Sequence, residues 1–390
     1  MKTLYITDFY YFVDSGAKVL ARAHLNTLNE IFDQKDVVVI ALPGANAPEK
    51  TVEGHITITG YKNSIALYLG CLLGYSTYLN EHGMRRIISI IEVEKIEFVF
   101  IDNSIFGKLV KKIKKRFPHI IVASFYHDVK ASLAAAWKKE SRLYKKPIYQ
   151  AMIQNEKLTA QYCDINFTLN RRESELFEKF YKKKPEVELS VYMDIPKPSK
   201  QTKNIQEHEK LKLLFFGGAY LPNKRGIDWF VKNVMPRLGA DVELTIAGRG
   251  MEQLQKNNYP DNVIVLGRVE SPSTLYEEAD VVLSPIFEGG GMKVKVAESM
   301  AYGKIIIASN ESYEGYNENI PVEYWDKYFY KANVADEYVN IINKLVTSKQ
   351  EIFRYNPQVR SIFEEFYSSS YAQLAISLAI KNYINGGKMH

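Results

Sequence analysis

Between residues 288 and 304 the chain reads EGGGMKVKVAESMAYGK, directly after the apolar run VVLSP. Three consecutive glycines, Gly289, Gly290 and Gly291, leave the backbone bare enough for a ligand to approach closely. A helix starting after them would turn free N–H groups and its positive dipole end toward that ligand. Lys293 and Lys295 add positive charge at the same mouth. The chemistry these residues support is anion binding, and a diphosphate fits it best. Glu298 lies three residues beyond Lys295, where a carboxylate can accept bonds from neighbouring hydroxyls such as a ribose diol. A tight turn with a surface Glu–Lys pair is the plainer reading, and it accounts for fewer of these features.

A second candidate is FFGGAYLPNKRGIDWF, 215–230. Gly217 and Gly218 end an apolar run, Pro222 and Asn223 make a turn, and Lys224-Arg225-Gly226 open the next helix. Arg225 or Lys224 can reach the same anion from the other side; otherwise they are a solvated helix start. In the first half, His127 closes the run IIVASFYH at a strand end, a place suited to proton transfer or sugar contact. Asp14-Ser15-Gly16 follows the first strand and also reads as a plain helix cap. Asp102-Asn103-Ser104 ends another strand and reads as structural.

The elements that must hold these residues alternate along the chain. TLYIT (3–7), VVVIAL (37–42), FVFID (98–102), IIVASFY (120–126) and INFTL (165–169) read as buried strands, with amphipathic helices such as 17–32 and 105–116 between them. Continuous apolar strands separated by helices predict a parallel sheet covered on both faces. DIPKPSKQTKNIQEHEKLK, 194–212, is polar and proline-containing and reads as a linker. The rhythm then restarts. Strands are expected at 211–218, 242–248, 262–267, 281–285 and 305–309, and helices at 226–238, 272–279, 293–302 and 361–385. The fold class expected is α/β, with two Rossmann-like doubly wound parallel-sheet domains facing a central cleft. Their bounds are 1–195 and 211–360, with a linker at 196–210. A terminal helical segment, 361–390, is expected to pack back toward the first domain.

In these motifs the sequence resembles the retaining, nucleotide-sugar-dependent GT-B glycosyltransferases of family 4, or group 1. The resemblance rests on G–G–x–x–x–P–N–x–x–G–I–x–W–F at 217–230, I–A–G–R–G at 246–250, L–G–R–V at 266–269, L–Y–x–x–A–D–V–V–L–S–P at 275–285 and G–G–G–M–K–x–K–x–x–E–S–M–A–Y–G at 289–303. It implies that Glu298 holds the donor ribose and that the amides around Gly291, Met292, Lys293 and Val294 hold the diphosphate. It further implies that Arg225 or Lys224 neutralises the leaving phosphate and that the backbone near Arg268 and Val269 reads the base. His127 would meet the donor sugar or the reacting hydroxyl, and the loop at Gly16 would close over the diphosphate. Departure of the nucleoside diphosphate with front-face attack by the acceptor would need no protein nucleophile. One feature departs from the family. Two glutamates are commonly spaced eight apart here, yet Gly290 stands eight before Glu298 and the available acid, Glu288, stands ten before it. Glu288 is a sugar contact or a solvated loop acid.

Composition narrows the rest. The chain has 390 residues, 46% hydrophobic and 25% charged, the balance of a globular protein with more than one core. Its two cysteines, Cys71 and Cys163, form no CxxC, which excludes a disulfide scaffold and a zinc module and favours a reducing, cytoplasmic setting. No basic n-region followed by an apolar stretch opens the chain, and no run of about 18 apolar residues occurs, so neither a signal peptide nor a membrane span is expected. No D-x-D occurs, which argues against a divalent metal on the donor phosphates, and no cofactor besides the co-substrate is expected. The net charge of +6 is uneven. Residues 1–200 carry 30 Lys and Arg against 22 Asp and Glu, and residues 101–150 alone carry 12 against 3. KLVKKIKKRF (108–117) and AWKKESRLYKKPIY (136–149) interleave lysines with aromatics, which suits an anionic membrane surface at the inner face of a cell membrane. No nucleic-acid module is recognisable. The expected partners are a nucleotide-sugar donor and a glycan or lipid-linked glycan acceptor in surface-polysaccharide or glycoconjugate synthesis. A non-catalytic GT-B subunit and a GT-B sugar-nucleotide 2-epimerase remain as alternatives.

Overall fold

The computed structural model describes residues 1–9, 16–44, 54–132, 145–195 and 209–386. The chain divides into two compact units, 1–190 together with 369–390, and 191–368. The breaks fall at Ser190/Val191 and Ser368/Ser369 rather than at 195 and 360. Most of the linker expected at 196–210 and of the basic segment 136–149 lies outside the described residues, as do Asp14 and Ser15.

The first unit is built on β1 (Thr3–Thr7), β2 (Val37–Ala41), β3 (Ile56–Thr57), β4 (Phe98–Ile101), β5 (Ile121–Tyr126), β6 (Ile165–Thr168) and β7 (Val187–Glu188). They form one sheet in the order β3-β2-β1-β4-β5-β6-β7, with parallel pairing such as Thr3↔Val37 and Thr3↔Phe98. Every residue of β1, β4, β5 and β6 is buried, the state of a sheet covered on both faces. Helices α1 (Gly16–Phe32), α2 (Ser64–Leu72), α3 (Glu81–Val93), α4 (Gly107–Arg116), α5 (Lys146–Tyr162) and α6 (Arg171–Tyr181) cover it. Asparagines start three of them: Asn63, Asn80 and Asn170 each accept a backbone N–H from the first turn.

Helix α4 buries Leu109, Val110 and Ile113 in a core shared with Ile87 and Ile91 of α3 and Val99 of β4. Its lysines do not all face water. Lys114 is bound to Asp164 at 2.7 Å and to the Ile120 carbonyl at 2.9 Å, Lys112 pairs with Glu81, and Arg116 pairs with Glu92 at 2.9 Å. Part of the apparent basic patch is therefore spent on holding α4 to its neighbours.

The second unit restarts the pattern with β8 (Leu211–Phe216), β9 (Val242–Ala247), β10 (Val263–Gly267), β11 (Val281–Ser284), β12 (Ile305–Ala308) and β13 (Phe329–Lys331). Their order is β10-β9-β8-β11-β12-β13, again parallel. Its helices are α7 (Leu221–Asn233), α8 (Ser273–Glu278), α9 (Val294–Ala301), α10 (Ala335–Thr347) and α11 (Pro357–Phe366). Two expectations need correction. The helix read at 226–238 starts at Leu221, because Pro222 is accommodated in the first turn, where its missing N–H costs nothing. It ends at Asn233, and Pro236 stands in a separate 3₁₀ turn, Met235–Arg237. The run 361–385 is two helices rather than one. α11 stops at Phe366, and α12 (Ser369–Ile384) belongs to the first unit, where it packs on α1 and Tyr383 donates to Asp164 at 2.6 Å.

In each sheet the strand order reverses beside the first strand, between β1 and β4 and between β8 and β11. At such a reversal successive crossover connections leave in opposite directions, opening a crevice at the carboxyl ends of the strands where ligands bind.

Candidate functional site

In the second unit both glycine-containing segments flank that reversal. Gly217 and Gly218 leave the end of β8, and the loop 285–293 leaves the end of β11 and runs into α9. Gly289 and Gly291 hold φ of +118° and +64°, backbone states that a side chain would strain. Gly226 answers a different need. A Cβ there would lie 1.9 Å from the Pro285 carbonyl oxygen, so α7 reaches the β11 loop only because position 226 has no side chain.

The lysines are not equivalent. Lys293 caps α9 and pairs with Glu311 at 2.8 Å, while its carbonyl accepts the Tyr316 hydroxyl at 3.0 Å. Lys295 is 7% exposed. Its Nζ donates to the Asn223 amide oxygen at 2.8 Å and lies 4.1 Å from the Phe215 ring centroid. Among the described residues no carboxylate forms an ion pair with it. Burial pushes the amine down to about 7 and Lys293 pushes the same way, while Glu298 opposes them. Asn223 also donates to the Gly218 carbonyl at 2.8 Å, tying the β8 loop to α9 through Lys295. Glu298 accepts the Tyr276 hydroxyl at 3.0 Å, and Tyr276 stacks on Tyr302 at 4.7 Å. Burial raises the Glu298 carboxyl above its ordinary value, against that hydrogen bond and Lys295.

The remaining candidates of this unit are spread around the loops. Arg225 and Glu288 are both exposed and bind each other at 2.9 Å, so each occupies the other before any ligand arrives. Lys224 turns to Gln253 at 3.0 Å. Gly290 is exposed, Met292 is buried, and Arg268 is exposed past the end of β10. Asn223, Tyr276, Glu311 and Tyr316 were not singled out as site residues. Only Asn223 carried a signal, its place one turn from Gly217-Gly218.

In the first unit, Gly16 is exposed at the start of α1. His127 follows β5, 11% exposed at its side chain, and its Nε2 lies 2.9 Å from Asp102 Oδ1. The same oxygen lies 2.8 Å from Nδ1 of the fully buried His24. The other oxygen of Asp102 accepts the Tyr5 hydroxyl at 2.8 Å and the Thr7 hydroxyl at 3.3 Å. Burial pushes the Asp102 carboxyl up, and the two imidazoles with their hydrogen bonds more than reverse it, leaving it below the usual carboxylate range. Burial pushes the His24 imidazole down from its ordinary value, against the pull of Asp102. Asp102 is thus the hub of His127's setting, more than the structural strand end its sequence indicated. Asp8 stands beside it, held by Asn103 at 3.1 Å, with its carboxyl raised by burial to about 6.

The two doubly wound parallel sheets define the GT-B fold. Residues 210–348, within the second unit, match the family described as group 1 glycosyl transferases. Among curated proteins the chain is similar to a 44.6 kDa protein encoded in the cps region of Klebsiella pneumoniae. The two are 24% identical over 241 residues, covering 53% of this chain and 61% of that protein. Among solved structures, sucrose-phosphate synthase of Thermosynechococcus elongatus superposes with a TM-score of 0.68 at 12% identity, over 99% of both chains. HepE of Anabaena in complex with UDP gives 0.66 at 11%, over 97% of this chain and all of that one. No helix among the described residues is long and apolar enough to cross a membrane.

Proposed function

We propose that this chain is a glycosyltransferase that moves a sugar from a nucleotide-sugar donor to a glycan or lipid-linked glycan, with retention and without a metal ion. The observation that carries the reading is Lys295: a buried ammonium beside bare glycine loops, hydrogen-bonded to a neutral amide. Burying the charged form of the amine is costly unless an opposite charge compensates it, and a bound anion would supply that charge. The N-terminus of α9, with Lys293 at its cap, follows the same glycine loop and suits a diphosphate. Glu298 is assigned to the ribose, with Tyr276 holding it in place. Arg225 meets the leaving phosphate after exchanging Glu288 for it. The anomeric C–O bond breaks with its electron pair leaving on the phosphate oxygen. The acceptor hydroxyl attacks the same face and passes its proton to that oxygen. His127 is assigned to the sugar or the reacting hydroxyl. The membrane surface around 108–117 would serve a lipid-linked acceptor.

Thermal-shift measurements with UDP, GDP, dTDP, CMP and ADP test the donor site. UDP comes first, since HepE binds it. Saturation at 100 times Kd stabilises the folded state by about 2.7 kcal/mol. Glu298→Ala should abolish both the shift and turnover; normal activity in that variant would remove the assignment. Stabilisation by a nucleotide without sugar transfer to any acceptor would favour a non-catalytic subunit.

A further inference from the structure

Helix α2 carries an apolar stripe that is exposed among the described residues. Ile65, Leu69, Leu72 and Leu73 are 74%, 54%, 56% and 70% exposed, and their spacing of four, three and one places them on one helical face. The opposite face is packed: Gly70 and Cys71 are buried, and a Cβ at Gly70 would lie 2.4 Å from the Tyr61 hydroxyl. Single exposed leucines are ordinary, whereas four on one face mark a surface built for an apolar partner.

The surroundings say which partner. Residues 54–80 contain no Asp or Glu. Lys62 stands exposed just before the helix. At the other end Lys108 of α4 donates to the Leu73 carbonyl at 2.7 Å and lies 4.2 Å from the Tyr75 ring centroid, which places its charge beside the stripe. α2 and α4 both pack on α5; of the six basic residues of α4, Lys112, Lys114 and Arg116 are paired with Glu81, Asp164 and Glu92, and Lys108, Lys111 and Lys115 supply the flank. Apolar side chains flanked by Lys62 and Lys108, on a segment without acids of its own, complement a surface that is apolar inside and anionic at its rim.

We propose that the outer face of α2 inserts into an anionic lipid surface, with Ile65, Leu69, Leu72 and Leu73 entering the acyl boundary and Lys62 and Lys108 meeting headgroups. This deepens the membrane partner proposed above by placing its contact on α2, with α4 as the charged flank.

Flotation of the full chain with neutral phosphatidylcholine vesicles and with vesicles containing phosphatidylglycerol tests it without any donor. The wild type should float with the anionic vesicles, and Leu69→Asp/Leu72→Asp should weaken binding by at least about tenfold. Circular dichroism and melting must show that variant folded, and Val322→Asp, at a still more exposed aliphatic of the second unit, should float as the wild type does. Unchanged flotation of the α2 variant overturns the proposal. If Lys111→Glu/Lys115→Glu abolishes binding while the α2 variant retains it, the membrane partner stands and the stripe does not. Absence of wild-type binding removes both. A wild-type dimer that the α2 substitutions dissociate would assign the stripe to a second copy of the chain instead.

Discussion

Lys295 sits 7% exposed on the Asn223 amide and the Phe215 ring, and its titration can be followed through binding. Burial pushes its amine down to about 7 from an ordinary 10.5. Between those values the unfolded chain holds a proton that the folded chain has released, so this group makes the free protein more stable as pH rises through the window. Lys304, also pushed down to about 7 by burial, contributes with the same sign and would obscure the effect in an unfolding curve. Ligand binding separates them. A diphosphate favours the charged amine, so above pH 7 it should bind with proton uptake, and its affinity should fall by up to about tenfold per pH unit. Calorimetry at pH 8 in two buffers of different ionisation enthalpy measures that proton directly. Lys295→Arg, which stays charged, should bind without uptake; uptake persisting in it would place the proton elsewhere. Asp102 makes the parallel argument in the first unit. Asp102→Asn should leave His127 without a fixed tautomer, visible in imidazole ¹⁵N shifts, and lower turnover by about 100-fold with the fold intact. An unchanged His127 spectrum would deny Asp102 the positioning role. Neither arrangement was fully legible in the sequence. Lys295 and Glu298 stood out because they are neighbours on one helix. The partners of Asp102 are 25 to 97 residues away and meet only in the folded sheet.

Elements were read best where a run of apolar residues had to be buried. All five strands read in the first half, and the corresponding strands of the second, stand within a residue or two of their expected ends. Helix limits were harder to place because proline and asparagine mean different things at different positions. Pro222 reads as a breaker yet lies in the first turn of α7, whereas Pro236 does end it. The pairs β3 and β7, two residues each, have no apolar run to announce them. α7 also shows how an element can set site geometry by what it lacks. Gly226→Ala would drive a Cβ into the Pro285 carbonyl and displace the loop that carries Gly289–Met292. That overpacking should cost about 1–3 kcal/mol and weaken nucleotide binding more than the stability loss alone explains. Chemical denaturation and nucleotide titration of the same variant check both parts. A binding loss absent after the stability loss is allowed for would detach α7 from the site.

At the scale of the molecule, the length pointed to two cores, but not to how the chain is shared between them. It leaves the first unit at residue 190 and returns to it at 369, so the first core is completed by the last helix described. A terminal segment packing back toward the first domain is expected from the sequence, but nothing in the amphipathic run 361–385 marks where the return begins, because both halves of that run carry helical spacing and differ only in what they bury. α11 buries Val359, Ile362 and Phe363, and α12 buries Ala372, Ile376, Ala379 and Ile380 against the first unit. Charge follows the same division, with the surplus of lysines on α4 and the near-neutral second unit keeping Lys293 and Lys295 at its loops. If the units are separate cooperative cores, damage to α12 should be felt far away in sequence and not nearby. Ile376→Ala, at a fully buried position, should cost about 2–5 kcal/mol. Hydrogen exchange should then show protection falling across 1–190 and 369–386 while 209–366 keeps its own. Equal loss in α11, which ends ten residues before the substitution, would mean that sequence proximity rather than the shared core governs the response.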